Sequence, residues 1–253
     1  MPFRAFTLDE VSVYLHLPRA DVEEMVKRRD IPFSLRGGRQ VFIRGEIDAW
    51  ASQRILGLPP RRLTSYHEKS SRSARPILAG NVLLPTLLQP AFIDVALKSK
   101  TRSSVIRDLV AFADRTGLVA DARELLESVQ AREALCSTAL PGGLALLHAR
   151  HHDEHRFLES FLLLGRTIQS VPFGAPDGWP SRIFFLICCQ DDRLHLHTLA
   201  RLCLMAQKTD LLARLLDAPD ADAAHATLLA SELAVLPPEP GTDGNPGSSP
   251  AGR

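Results

Sequence analysis

The 253-residue sequence predicts an α/β protein, with a sheet covered on both faces by helices and a small helical head in front of it. Apolar runs in "GGLALLH", "ESFLLLGRTIQSVPFG" and "SRIFFLICCQ" are nearly continuous, as in strands buried on both faces. Segments of helical spacing lie before and after them. At 45% hydrophobic residues the chain can bury one sizeable core plus a small satellite. It contains no run of eighteen apolar residues, so no membrane insertion is expected.

The head reads as helix, turn, helix, hairpin, helix. "LDEVSVYLHL" carries Leu8, Val11, Val13, Leu15 and Leu17, with Thr7 or Asp9 available as a cap. "RADVEEMVKRRD" sets Val22, Met25 and Val26 on one face. Gly37-Gly38 then separates two β-prone runs, a two-residue hairpin signal. "GEIDAWASQRI" closes the head as a helix with Ile47 and Trp50 inward.

Residues 57–76, around "LPPRRLTSYHEKSSRSARP", lack periodicity and are rich in Pro, Ser and Arg, so a flexible basic linker is expected. Residues 55–76 hold five Lys/Arg against one Asp/Glu, joining a near-neutral head to a mildly acidic body. The body, residues 77–235, opens with the helical patterns "SSVIRDLVAFADRTGL" and "ARELLESVQAREAL". Three apolar strands follow, then the helices "DDRLHLHTLARLCLMAQ" and "TDLLARLLDA". Residues 236–253 are too rich in Pro, Gly and Ser to form a core, and a disordered tail is expected. The N-terminus lacks a signal-peptide pattern, and Cys136, Cys188, Cys189 and Cys203 sit in apolar runs without a CxxC pair. Reduced cysteines and a cytoplasmic location are the expectation.

Chemistry concentrates in "GGLALLHARHHDEHRF". Alternation along "LALLH" puts Leu144, Leu146 and His148 on one face, with His148 at the strand's end. Crevices of open α/β sheets gather at such ends. Three readings compete: a nucleophilic imidazole, a metal cluster with His151, His152 and His155, or polar residues of an ordinary loop. The spacing HxxHHxxH matches no standard zinc site, so no metal is assigned. No Gly-rich phosphate loop or nucleotide motif occurs, and no cofactor is assigned. "FGAPDGWP" has turn chemistry, with Trp179 either exposed near the site or packed.

The parts of the head are those of a winged helix-turn-helix. Its "TLDEVSVYLHLP" and "IPFSLRGGRQVFIRGEIDAW" resemble the excisionase-like, MerR-type family of that fold. The resemblance implies duplex DNA as partner, read by Arg19, Lys27 and Arg28 of the second helix and by Arg36 and Arg39 of the hairpin. Asp21, Glu23 and Glu24 on the second helix repel phosphates, so a protein-docking role for the head stands beside DNA binding.

Residues 76–232 resemble the enzyme IIA domain of the fructose–mannitol class of the phosphoenolpyruvate-dependent phosphotransferase system, which includes the nitrogen-regulatory enzyme IIA proteins. "AREALCSTALPGGLALLHAR", "FGAPDGWPSRIFFLICCQDD" and "HLHTLARL" carry it in order. The resemblance implies an enzyme IIA type 2-like mixed sheet flanked by helices. It also implies phosphorylation of His148, with His195 as second active-site histidine and Arg132 beside the phosphate. A histidine-containing phosphocarrier protein is the implied donor. The family's usual glycine is Pro141 here, and its usual proline before the active histidine is Leu147. The chain therefore reads as a phosphotransfer-regulated DNA-binding regulator. The rival readings are a sugar-uptake component serving a IIB domain, or an interaction module without catalysis.

Overall fold

The structure, a computed structural model, describes residues 5–74, 82–150 and 155–236. The head comprises β1 (Ala5–Phe6), α1 (Leu8–Tyr14), α2 (Arg19–Arg28), β2 (Ser34–Arg36), β3 (Arg39–Ile43) and α3 (Arg44–Leu56). Thr7 caps α1, its hydroxyl accepting from Glu10 N–H while the Glu10 carboxylate accepts from Thr7 N–H. Gly37 and Gly38 have φ of 56° and 76°, the pair of left-handed residues that a type I′ hairpin turn requires. Arg36 and Arg39 face each other across that turn. Strand β3 lies between β1 and β2 in a three-stranded antiparallel sheet. Val11, Leu15, Val22, Phe42 and Ile47 are buried beneath it.

The expected linker is instead a helix, α4 (Pro60–Ala74), packed against the body. Its inward positions include Leu63, His67 and Ser70, at helical spacing but with one large aliphatic among them. Two polar residues on the buried face hid the period. They are tolerated because partners satisfy them: Arg201 Nε donates to His67 Nε2 at 2.6 Å, and Ser70 Oγ lies 2.9 Å from His197 Nδ1. The rings of His67 and His197 stack with centroids 5.0 Å apart.

The body continues with α5 (Leu84–Leu87), a 3₁₀ turn (Pro90–Phe92), β4 (Ile93–Leu97), α6 (Arg102–Arg115), α7 (Ala122–Leu135), β5 (Ala139–Leu140) and β6 (Leu144–His148). After β7 (Phe161–Val171) and β8 (Ser181–Cys188) come α8 (Asp192–Lys208), α9 (Leu211–Asp217) and α10 (Ala221–Val235). The five-stranded sheet has the order β4-β7-β8-β6-β5. It is mixed: β4 with β7 and β6 with β8 are parallel, while the β7–β8 and β5–β6 pairs are antiparallel.

Leu144 and Leu146 enter the apolar layer shared with α8, whereas Ala145 and Leu147 enter the layer of α6 and α7. The first layer continues without a break through Leu63 into the head core, so head and body share one apolar cluster. Besides α4, the sequence reading lacks β1, α5, the 3₁₀ turn, β4, β5 and α10. The edge strand β4 is only five residues long and is interrupted by Asp94, and α10 is so rich in alanine that no single apolar stripe stands out. The tail expected at 236–253 lies outside the described residues beyond 236. No described helix is long and apolar enough to cross a membrane. The four cysteines are free thiols.

Burial, and then the nearby Arg201 charge, push the His67 ring down to about 3 and His197 to about 2, so both are neutral in the fold. Unfolded histidines protonate near 6.5, so protons favour the unfolded chain below that pH. Stability should be level above about pH 7 and fall on acidification, by up to about 1.4 kcal/mol per pH unit for each ring. Urea midpoints at pH 7.5 and 5.5 check this, and His67→Gln should reduce the loss by one ring's share. A wild-type midpoint as high at pH 5.5 as at 7.5 would contradict it.

Candidate active site

Strand β6 carries His148 to the carboxyl end of the sheet, beside the start of α8. Its Nδ1 lies 2.9 Å from the Leu146 carbonyl, which can only accept, so Nδ1 holds the proton. The lone pair is left on Nε2, and Arg132 Nε donates to it at 3.1 Å. Burial, followed by the Arg132 charge, pushes the His148 ring down to about 3, so it is a neutral imidazole with a defined nucleophilic nitrogen.

Arg132 comes from the last turn of α7 and is 1% exposed. Its Nη1 donates to the Cys136 carbonyl at 3.1 Å, fixing the fork, while its buried Nη2 has no hydrogen-bond partner. Glu133 turns the other way and binds Thr138 through N–H and hydroxyl, holding the segment between α7 and β5. Burial raises the Glu133 carboxyl above the usual range, with Thr138 opposing.

His195 sits at the end of the first turn of α8, whose N-cap Asp191 accepts from Arg193 and Leu194 N–H. Its ring centroid is 4.9 Å from that of His148, inclined by 55°. Arg132, His148 and His195, from α7, β6 and α8, thus converge on one cavity of about 20 Å³. The cavity is also lined by Tyr14, Asp48, Ala49 and Ser52 of the head and by Arg156 and Asp192 of the body. Arg156 pairs with Glu124, and Arg44 of α3 pairs with Asp192. Tyr14 donates to Asp48, whose carboxyl burial pushes up to about 6. No spacing rule links a head helix to a distant body helix, so these head residues were invisible in the sequence. The doublet Asp191-Asp192 was the one available signal, as a helix cap.

Other expected residues fall elsewhere. His151 and His152 lie outside the described residues, and His155 is exposed and does not line the cavity. Among the described residues, no group of three or more His, Cys, Asp or Glu could hold a metal. Trp179 is 69% exposed but belongs to the far end of the sheet, where Asp177 accepts from Gly142 N–H just before β6 begins. It is not at the site, because the β7–β8 turn leads into the start of β8 whereas His148, on the parallel strand β6, is level with Ile187 near the end of β8.

In the head, Lys27, Arg36 and Arg39 are exposed. Arg19 pairs with Asp9 and Glu23, and Arg28 pairs with Glu24. Three cations of the expected five therefore carry their charge without an ion pair of the head's own shown beside them, and two are partly offset.

A mixed five-stranded sheet between helical layers, with a neutral histidine at a strand end, defines an enzyme IIA-type fold behind a helix-turn-helix. Residues 86–231, more than half of the chain, match the family model described as the phosphoenolpyruvate-dependent sugar phosphotransferase system, EIIA 2, and the chain belongs to that family. Residues 5–55 match the model of a helix-turn-helix domain. A nitrogen regulatory protein of Pseudomonas aeruginosa is 27% identical over 146 residues, covering 57% of this chain and 93% of the relative. The fructose-specific EIIABC component of Bacillus subtilis is 27% identical over 139 residues, 54% of this chain, which spans 21% of that longer protein. Nitrogen regulatory protein IIA-Ntr of Neisseria meningitidis shares the fold at a TM-score of 0.51 and 24% identity, over 56% of this chain and 96% of its own.

Nitrogen-15 spectra of the histidine side chains should report His148 as the Nδ1–H tautomer, uncharged down to pH 5. A titration midpoint near 6.5 would contradict a buried, neutral His148 ring.

Proposed function

We propose that the chain is a phosphorylation-controlled regulator, in which His148 accepts a phosphoryl group from a histidine-containing phosphocarrier protein and the head binds duplex DNA. The observation that carries the reading is the pairing of a single available lone pair, on His148 Nε2, with the buried guanidinium of Arg132. Nε2 attacks the phosphorus, the N–P bond of the donor imidazole breaks, and its electron pair stays with the donor ring. Nδ1 keeps its proton throughout, and the Leu146 carbonyl stabilises the positive charge that builds on the ring. Such a transfer depends on positioning and charge rather than on acid–base steps. Arg132 swings its fork from the ring to the phosphoryl oxygens, a bidentate geometry for which Nη2 is already unspent. His195 supplies a further donor from the neighbouring helix.

Incubation with phosphoenolpyruvate and the general phosphotransferase proteins, followed by peptide mapping, tests the reading. Label should sit on His148 and vanish in His148→Ala, while His195→Ala and Arg132→Ala should slow transfer by about 10²-fold or more, the scale of losing one charge-stabilising donor. Label persisting at full stoichiometry in His148→Ala would move the acceptor elsewhere.

For the head, the exposed Arg36 and Arg39 at the hairpin tip suit phosphate contacts. Each Arg→Ala change should reduce the salt dependence of DNA affinity by about one unit. The carboxylates pairing with Arg19 and Arg28 favour a second reading, a head specialised for docking on protein. Absence of salt-dependent DNA binding at low ionic strength would select that second reading.

A further inference from the structure

A strand-end histidine in an open α/β sheet normally faces a crevice, yet His148 is 2% exposed. What covers it is the head. Helix α3 lies along α8, with Ser52 Oγ 3.5 Å from His195 Nε2. Arg44, at the start of α3, is ion-paired to the buried Asp192 at the start of α8. Between these two anchors, Tyr14, Asp48 and Ala49 close the cavity that Arg132, His148 and His195 form from below. Its volume of about 20 Å³ holds about one water. A phosphoryl group with three oxygens does not fit, and a donor protein cannot bring its own imidazole in line with Nε2 at the ~3–3.5 Å that reaction requires.

We propose that the helix-turn-helix head is an intramolecular plug of the phosphotransfer site, occupying through α3 the surface on which the phosphate-donating protein must dock. The proposal rests on the reading of His148 as phosphoacceptor. The plug is chemically matched to the unmodified site. Ser52 meets an imidazole, Arg44 meets Asp192, and Ala49 offers no bulk. It is mismatched to the modified one. A phosphoryl group adds up to about two negative charges, in a cavity already lined by the carboxyls of Asp48 and Asp192. Phosphorylation and plugging therefore exclude each other by volume and by charge. Release requires α3 to lift from α8 while α4 keeps its anchors, and residues 57–59 between α3 and α4 are outside any helix.

The test compares the full chain with two single variants, Arg44→Glu and Ser52→Arg. The first sets like charge against buried Asp192, and the second forces a long cation into the closed face. Neither touches the head core at Ile47, Ala51 and Ile55. Diethyl pyrocarbonate, which acylates neutral imidazole nitrogens, measures access to His148 independently of any phosphate donor. Acylation of His148, mapped by mass spectrometry, should be at least tenfold faster in both variants than in the wild-type chain. Phosphoryl labelling by the carrier system should accelerate in the same order. Equal acylation rates in all three chains would overturn the plug, as would faster acylation in the variants when all three chains are labelled at the same measurable rate. A contrast in acylation with no labelling of any chain would keep the plug and remove the phosphotransfer reading instead.

Discussion

Arg201 is the hub on which the arrangement of helices depends. Its guanidinium, 1% exposed, is paired with Glu232 of α10, donates to His67 of α4, and lies 3.3 Å from His197 on its own helix. Glu232 in turn accepts from the backbone N–H groups of Leu83 and Leu84 at 2.8 and 2.9 Å. One buried cation therefore fixes α4, α8, α10 and the entry to α5. Burial lowers the Arg201 pKa and raises that of Glu232, and each partner's charge opposes the shift of the other. Removing either partner of such a pair leaves an uncompensated buried charge, a loss of about 3–5 kcal/mol. The pair is better understood as fixing which helices meet than as adding net stability.

The parts of the fold legible in the sequence were those whose burial is apolar and periodic. Strands β6 to β8 and helices α6 to α8 announce themselves through runs such as Leu144 to Leu147 and Val105 to Val110, because water exclusion leaves a pattern in side-chain type. Helix α4 did not, since its buried face includes His67 and Ser70, whose acceptability depends on Arg201 and His197 more than a hundred residues away. The reading of an aperiodic linker followed directly from that. The site was legible to the same degree. His148, Arg132 and His195 could be singled out through their family pattern and strand-end position. The head residues that close over them could not, since each is ordinary in its own helix.

The geometry of the His148 ring links chemistry to architecture. Its Nδ1–H is fixed by a carbonyl two residues back in the same strand, so the tautomer is set by local β structure. Arg132, by contrast, arrives from α7 and is held by Cys136, so the electrostatic partner is set by the helix-to-strand connection. Pro141, Gly142 and Gly143 form the turn from β5 into β6, at the end of the strand remote from the ring. A proline there shapes the strand's start without touching the reacting atoms. Leu147 points into the layer of α6 and α7, away from the face that carries His148.

The head is joined to the body by the same polypeptide, with α4 lying on α8 between them. Covalent attachment over so short a path gives a local concentration in the millimolar range. A freely diffusing protein that needs the face covered by α3 must therefore outcompete a neighbour that dilution cannot remove. The threshold for its entry would be set by its own abundance and by the strength of the α3–α8 contact, and would not change with the number of copies of this chain present. Such a molecule behaves as a gauge of its partner, reading a concentration against an internal standard built into its own sequence.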